Sequence, residues 1–197
     1  MSNPDVFRPW SGYFMAGVIF FISAGLTIQS AISGGAHDLL TTVAWGTAAS
    51  CGAYLIFIRP KVTIFDEGIT ITNPLIEITA GWQRVEEIEA RYSMSILVGN
   101  KTIYAWAAPA PGRHHARSVH KSEMRGLNLG ANTLMRPGES PRSHSGAASQ
   151  IARLRLEEFR KLGTIKGLES QVRYNSAGAT VMVTSLVLGL LLSVIHF

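Results

Sequence analysis

Charge is scarce in this chain. Only 16% of its 197 residues are Asp, Glu, Lys or Arg, against about 25% in an ordinary soluble domain. The shortfall is uneven: residues 59–173 hold 17 of the 18 Lys and Arg, and two long blocks hold almost no charge. Cysteine is scarcer still. Cys51 stands alone, which excludes an intrachain disulfide, a four-cysteine zinc site and a CxxC redox pair. Set in an apolar run, it behaves as a small hydrophobe. The soluble segment also lacks the GxSxG, HExxH, P-loop and GxGxxG patterns that would arm a nucleophile, hold a metal or cradle a phosphate. An enzyme is not expected, nor is a cofactor. The net charge of +5 raises the question of nucleic acid, but the basic residues lie beside apolar runs. Anionic lipid headgroups are the simpler partner there, and no nucleic acid is expected.

What the chain does have is three long uncharged runs. They cover 12–32 (21 residues), 39–58 (20 residues) and 177–195 (19 residues), none with a proline. A helix rises 1.5 Å per residue, so about 20 residues cross a hydrocarbon core of about 30 Å. Three transmembrane helices are therefore expected, the first two forming an N-terminal hairpin within residues 1–58. Trp10, Tyr13 and Tyr54 sit where headgroups would be, and Ser33–Asp38 is long enough only for a tight connection. A cleaved signal peptide fits the first run poorly: one Arg precedes it, it is long, and a second run follows closely. Small residues at helical spacing, Gly46 with Ser50 and Ala49 with Ala53, are read as a packing face between the first two spans rather than a dimer seam. Arg8 and the 59–176 segment carry every Lys and Arg. By the positive-inside bias, the N-terminus and that segment face the cytoplasm and the C-terminus faces out, in the plasma membrane.

From Lys61 the period changes to two. Val62 and Ile64, Ile69 and Ile71, Ile76 and Ile78 alternate with mostly polar neighbours, and Val85, Ile88, the run 93–98 and the run 102–107 continue the pattern. Alternation of this kind marks strands with one buried face. Asp66-Glu67-Gly68 and Asn73-Pro74-Leu75 supply turns. Six strands in a β unit over 59–111 make an antiparallel meander. Ile103, Ala105 and Ala107 should share a face opposite Tyr104 and Trp106. Residues 112–148, rich in Gly, Ser, Arg, His and Pro, read as a flexible basic insertion. Residues 149–163 read as an amphipathic closing helix, capped by Ser149, striped by Ile151, Leu154, Phe159 and Leu162, and ended by Gly163.

The turn Asp66-Glu67-Gly68-Ile69, the strand ending Asn73-Pro74, the Trp82-x-x-Val85-x-x-Ile88 spacing and the Gly99-Asn100-Lys101 hairpin leading into Tyr104-Ala105-Trp106 resemble a pleckstrin-homology-like domain of the small bacterial, actinobacterial-type kind attached to membrane spans. The resemblance covers about 59–113, extended by the closing helix. It implies an α+β membrane protein: three transmembrane helices plus a small antiparallel β-barrel or meander with a C-terminal helix, without a catalytic set. Eukaryotic lipid-binding members grip phosphoinositides with basic residues in the loop between the first two strands. Here that loop is acidic and repels phosphate. Six strands are visible where the full domain has seven.

Several residues invite a functional reading. Lys61, Arg84, Arg91, Lys101, Arg113, Arg117 and Lys121 are candidate contacts for anionic lipid, at about 1 kcal/mol per basic residue near a charged surface; topological charge explains the same residues equally well. His114, His115 and His120 lack a rigid frame and are interleaved with cations, so no metal site is expected. Glu86, Glu87 and Glu89 read as a solvent face. Trp82 belongs in the core, since tryptophan is mostly buried; Trp106 is left open. The expectation is a non-enzymatic membrane-anchored module that recruits or scaffolds a protein partner. The alternatives are a lipid-sensing module and an accessory subunit of a transport or envelope-synthesis complex, for the spans lack a charge to relay ions.

Overall fold

A computed structural model describes residues 4–110, 143–162 and 168–195. Strand β1 (Asp5–Phe7) comes first, then helix α1 (Trp10–Ser33) and helix α2 (Ala36–Ala53), which runs into one π-helical turn, Tyr54–Ile58. Strands β2 (Lys61–Phe65), β3 (Gly68–Thr72) and β4 (Ile76–Gly81) follow. A 3-10 turn (Trp82–Arg84) then leads to β5 (Val85–Ala90), β6 (Ser93–Val98) and β7 (Lys101–Pro109). Helix α3 (His144–Leu162), strand β8 (Gln171–Tyr174) and helix α4 (Ser176–Val194) complete the order. The chain divides into two compact units. One comprises Met1–Arg8, Lys61–Thr72 and Ile78–Val172; the other Pro9–Pro60, Asn73–Glu77 and Arg173–Phe197.

The helical unit contains three helices long and apolar enough to cross a membrane, Trp10–Ser33, Ala36–Ile58 and Ser176–Val194. Their apolar side chains point outward: Phe21 is 82% exposed and Ile32 is 81% exposed. The hairpin connection is shorter than Ser33–Asp38. Only Gly34 and Gly35 separate the helices, and Asp38 lies in the first turn of α2, where its carboxylate accepts from the Gly35 N–H at 3.2 Å. That contact satisfies an amide at a helix start, where partners are otherwise lacking. Hydroxyls within the helices turn back onto the preceding turn, as with Thr27 to Ser23 O at 2.8 Å and Ser185 to Val181 O at 2.6 Å, so they sit in apolar surroundings with a partner.

Helix α2 packs against both α1 and α4. Gly46 faces Ser23 and Thr27 of α1, where an added Cβ would lie 3.5–3.6 Å from their atoms. On the other side the Trp45 indole covers Gly189 of α4, within 3.0–3.2 Å of where a Cβ would stand, and its N–H donates to Ser193 Oγ at 3.1 Å. Small residues thus let the axes approach. Asn175 caps α4, accepting from the Gly178 N–H at 3.2 Å.

The β unit corrects the expected barrel. All six strands form where the alternation placed them, but they divide between two antiparallel sheets, a five-stranded one ordered β1-β2-β3-β4-β8 and a three-stranded one ordered β5-β6-β7. The break falls at Trp82. Its backbone N–H donates to Glu67 O at 3.2 Å and its indole N–H to Phe65 O at 3.0 Å. The chain is thereby drawn onto the β2–β3 turn, and β5 starts a new sheet instead of extending β4. Gly68 allows the close approach at this turn: an added Cβ would collide with Ala80 O. Two strands in the larger sheet, β1 and β8, were not anticipated. β1 pairs with β2 through Asp5↔Ile64, Val6↔Thr63 and Phe7↔Val62, so the chain on either side of the helical hairpin joins one sheet.

The core gathers Val62, Ile64, Ile69, Ile71, Trp82, Ile88, Met94 and Ile96 from the sheets with Ala148, Ala152 and Leu156 from α3. The closing helix starts at His144 rather than 149, and Ser143 caps it, its Oγ accepting from Gly146 N at 2.9 Å. Ser149 is buried inside the helix. The buried stripe is Ala148, Ala152 and Leu156 at i, i+4, i+8, with Ile151 and Phe159 at its margin; Leu154 and Leu162, expected inside, are exposed. Small residues face the sheet because they bring the helix backbone close. The 112–148 insertion falls outside the described residues except for 143–148, which lead into and begin α3. The third apolar helix spans 176–194, close to its expected place.

Trp82 is 1% exposed, so Trp82→Ala should destabilise the β unit by about 3–5 kcal/mol, measured by denaturant unfolding. With Cys51→Ser as background, a Val6→Cys/Thr63→Cys pair should form a disulfide on mild oxidation, detected as a reducible mobility shift; absence of the bond would refute the β1–β2 register.

Candidate functional site

Four of the basic residues singled out in the sequence, Lys61, Arg84, Arg91 and Lys101, lie among the described residues. Lys61 opens β2, opposite Thr72 of β3. Arg84 and Lys101 lie at one end of the three-stranded sheet, because Val85 pairs with Val98 and Val98 with Lys101. Arg91 lies at the other end, beyond the Ala90↔Met94 pair. The register therefore brings Arg84 and Lys101 to one end of that sheet and Arg91 to the other, while Lys61 belongs to the larger sheet. Arg113, Arg117 and Lys121 lie outside the described residues, as do His114, His115 and His120. Among the described residues, no group of three or more His, Cys, Asp or Glu is placed to hold a metal ion.

The acidic β2–β3 turn is bound within the protein. Arg155 of α3 lies 3.0 Å from Asp66, 3.6 Å from Asp5 of β1 and 3.5 Å from Glu158. One guanidinium so links the first strand, the first turn and the closing helix. Each pair is partly exposed, and such pairs contribute only about 0–1 kcal/mol apiece; their value lies in fixing orientation.

The sheet edges are treated unequally. The backbone of β5 is covered by α3: Arg153 donates through Nε and Nη2 to Ile88 O at 3.1 and 2.8 Å, and Arg160 Nη2 reaches Glu86 O at 3.4 Å. Occupied carbonyls cannot template another strand. β8 closes the order of the larger sheet, and all four of its residues are exposed. Aromatic side chains mark a second surface. On β7, Ala105 and Ala107 are buried while Tyr104 and Trp106 are each 58% exposed, the alternation expected from the sequence. Ser95 of β6 stands opposite Tyr104, and Glu89 of β5 opposite Ser95. Trp106, left open in the sequence, is thus displayed. Strand β8 and the aromatic side of β7 are thus two exposed surfaces among the described residues.

Sequence reasoning did not find Arg155, Arg153 or β8. No local signal marks an arginine that acts across 65 or more residues, and a four-residue strand is too short for alternation to be counted.

Comparison with protein-family models, with curated proteins and with solved structures gives no match. The pleckstrin-homology-like likeness rests on the residues quoted for it.

Replacing both Arg153 and Arg160 with Ala should uncover the β5 carbonyls. The expected outcome is a loss of about 1.5–3 kcal/mol for the charge-assisted bonds, with concentration-dependent association seen by light scattering in detergent. Unchanged stability and size would show that the edge needs no cover.

Proposed function

We propose that this chain is an integral membrane protein held by three spans, α1, α2 and α4. Its β unit is a non-enzymatic, pleckstrin-homology-like module that recruits or scaffolds protein partners at the cytoplasmic face of a bacterial plasma membrane. The outward apolar surface of the helices supports insertion: apolar surface left in water costs roughly 25 cal/mol per Å², and a bilayer removes that cost. The β1–β2 pairing supports an even number of crossings between residues 7 and 62. The placement of Lys and Arg on the same side as that pairing supports the cytoplasmic orientation.

The observation that carries the recruiting role is the display of Trp106 and Tyr104 on one strand. Tryptophan is usually buried, and aromatic residues are enriched in the centres of protein interfaces. A photoreactive amino acid at position 106 should crosslink to a discrete protein in native membranes. Trp106→Ala should weaken recovery of that complex by roughly 30-fold, equivalent to the ~2 kcal/mol of an interface hot spot. Crosslinks to lipid alone would favour the anionic-lipid reading instead. Release of the protein from membranes by alkaline carbonate would remove the anchoring on which both depend.

A further inference from the structure

Helix α2 does not end as an α-helix. Tyr54–Ile58 form a π-turn in which the Arg59 backbone N–H donates to Tyr54 O at 2.9 Å. Such turns are rare and insert an extra residue into the helical path, so they persist where neighbours hold them. Two neighbours do so here. Gly12 of α1 lies so close to the Phe57 carbonyl that a Cβ would collide with it, and Gly178 of α4 abuts Leu55, 2.9 Å from where its Cβ would be. Directly after the turn, the Arg59 guanidinium donates to Asn73 O, and to Pro74 O at 3.1 Å. These carbonyls belong to the connection between β3 and β4. The same connection accepts the Asn175 N–H at Leu75 O, 2.8 Å, and Glu77, just beyond it in β4, lies 3.9 Å from Arg173.

We infer that the π-turn is a register device that aims Arg59 at the β3–β4 connection. Packing of α1 and α4 against the end of α2 thereby governs how firmly that connection is held. Losing the extra residue would rotate everything after it by about 100° and displace it about 1.5 Å along the axis. Both carbonyls would then lose the guanidinium. Arg59 is a positioning residue in this scheme, and Gly12, whose nearest neighbours across the gap are atoms of Phe57, acts on the connection through the turn.

The test is hydrogen exchange of the full-length protein in lipid nanodiscs, read at the amides of Asn73 and Asn175, which donate to Ile76 O and Leu75 O. Arg59→Gln and Gly12→Ala should each speed exchange at these amides by roughly tenfold. Gly25→Ala, at a glycine with open space around it, should leave them unchanged. Leu55→Ala loosens the turn from the α4 side without adding bulk and should act like Gly12→Ala, which keeps the test decisive if Gly12→Ala does not assemble. Faster exchange in Arg59→Gln with wild-type exchange in both Gly12→Ala and Leu55→Ala would overturn the coupling. Wild-type exchange in Arg59→Gln would overturn the clamp itself.

Discussion

Three residues of strand pairing constrain most of what this chain can be. Asp5–Phe7 join β2 at Val62–Ile64, although α1 and α2 lie between them in sequence. The helical hairpin is therefore an insertion between the first two strands of a sheet. A hairpin of two long antiparallel helices returns the chain to the level it left, which is the geometry the pairing needs. A single helix, or three, would carry Val62 about 30 Å away along the axis. Asp5 adds an ion pair to Arg155 of the closing helix, so the segment before the first helix is held by β2 and by α3.

The second constraint is the break at Trp82. A meander of six alternating strands has no local reason to split, and periodicity cannot tell one sheet from two. The deciding interactions are long-range: an indole N–H satisfied by Phe65 O and a backbone N–H satisfied by Glu67 O. A buried indole without a partner for its N–H is costly, so this side chain fixes where the ladder stops. The gap it leaves between β4 and β5 allows the second sheet to turn its Ile88–Ile96–Ile103 row toward the common core.

Much of the fold was legible because period two and uncharged length are local properties. The six strands, the three apolar helices, the burial of Trp82 and the outward side of β7 all follow from them. The closing helix shows where such reasoning stops. Large residues, Leu154 and Leu162, drew the stripe, yet Ala148 and Ala152 occupy the interface. Hydrophobicity ranks residues by what they gain from burial, while close packing against a sheet selects those that bring the backbone near. The cap was misplaced for a related reason: Ser143 and Ser149 are both acceptable by type, and only geometry shows which one meets an amide. Charge names the candidate site residues but carries no register. Seven basic residues were grouped by charge, and register separates Arg91 from Arg84 and Lys101 because they stand at opposite ends of six-residue strands.

The unequal sheet edges bear on the proposed recruiting surface. An exposed strand edge is a hazard that proteins suppress with charge, brevity or cover. Here cover is supplied where α3 runs beside β5: Arg153 and Arg160 donate to the Ile88 and Glu86 carbonyls, while Arg155 of the same helix pairs with Asp66 and Asp5. No such cover is seen among the described residues for β8, which is short and carries Arg173, the other common safeguard. On the proposed reading, cover on the β5 edge leaves the face of β7 that carries Tyr104 and Trp106, each 58% exposed, as the surface for selective contact. Strand addition is opposed at β5 by cover and at β8 by brevity and charge, so under the proposed reading a partner would be selected by side chains rather than by an open backbone edge.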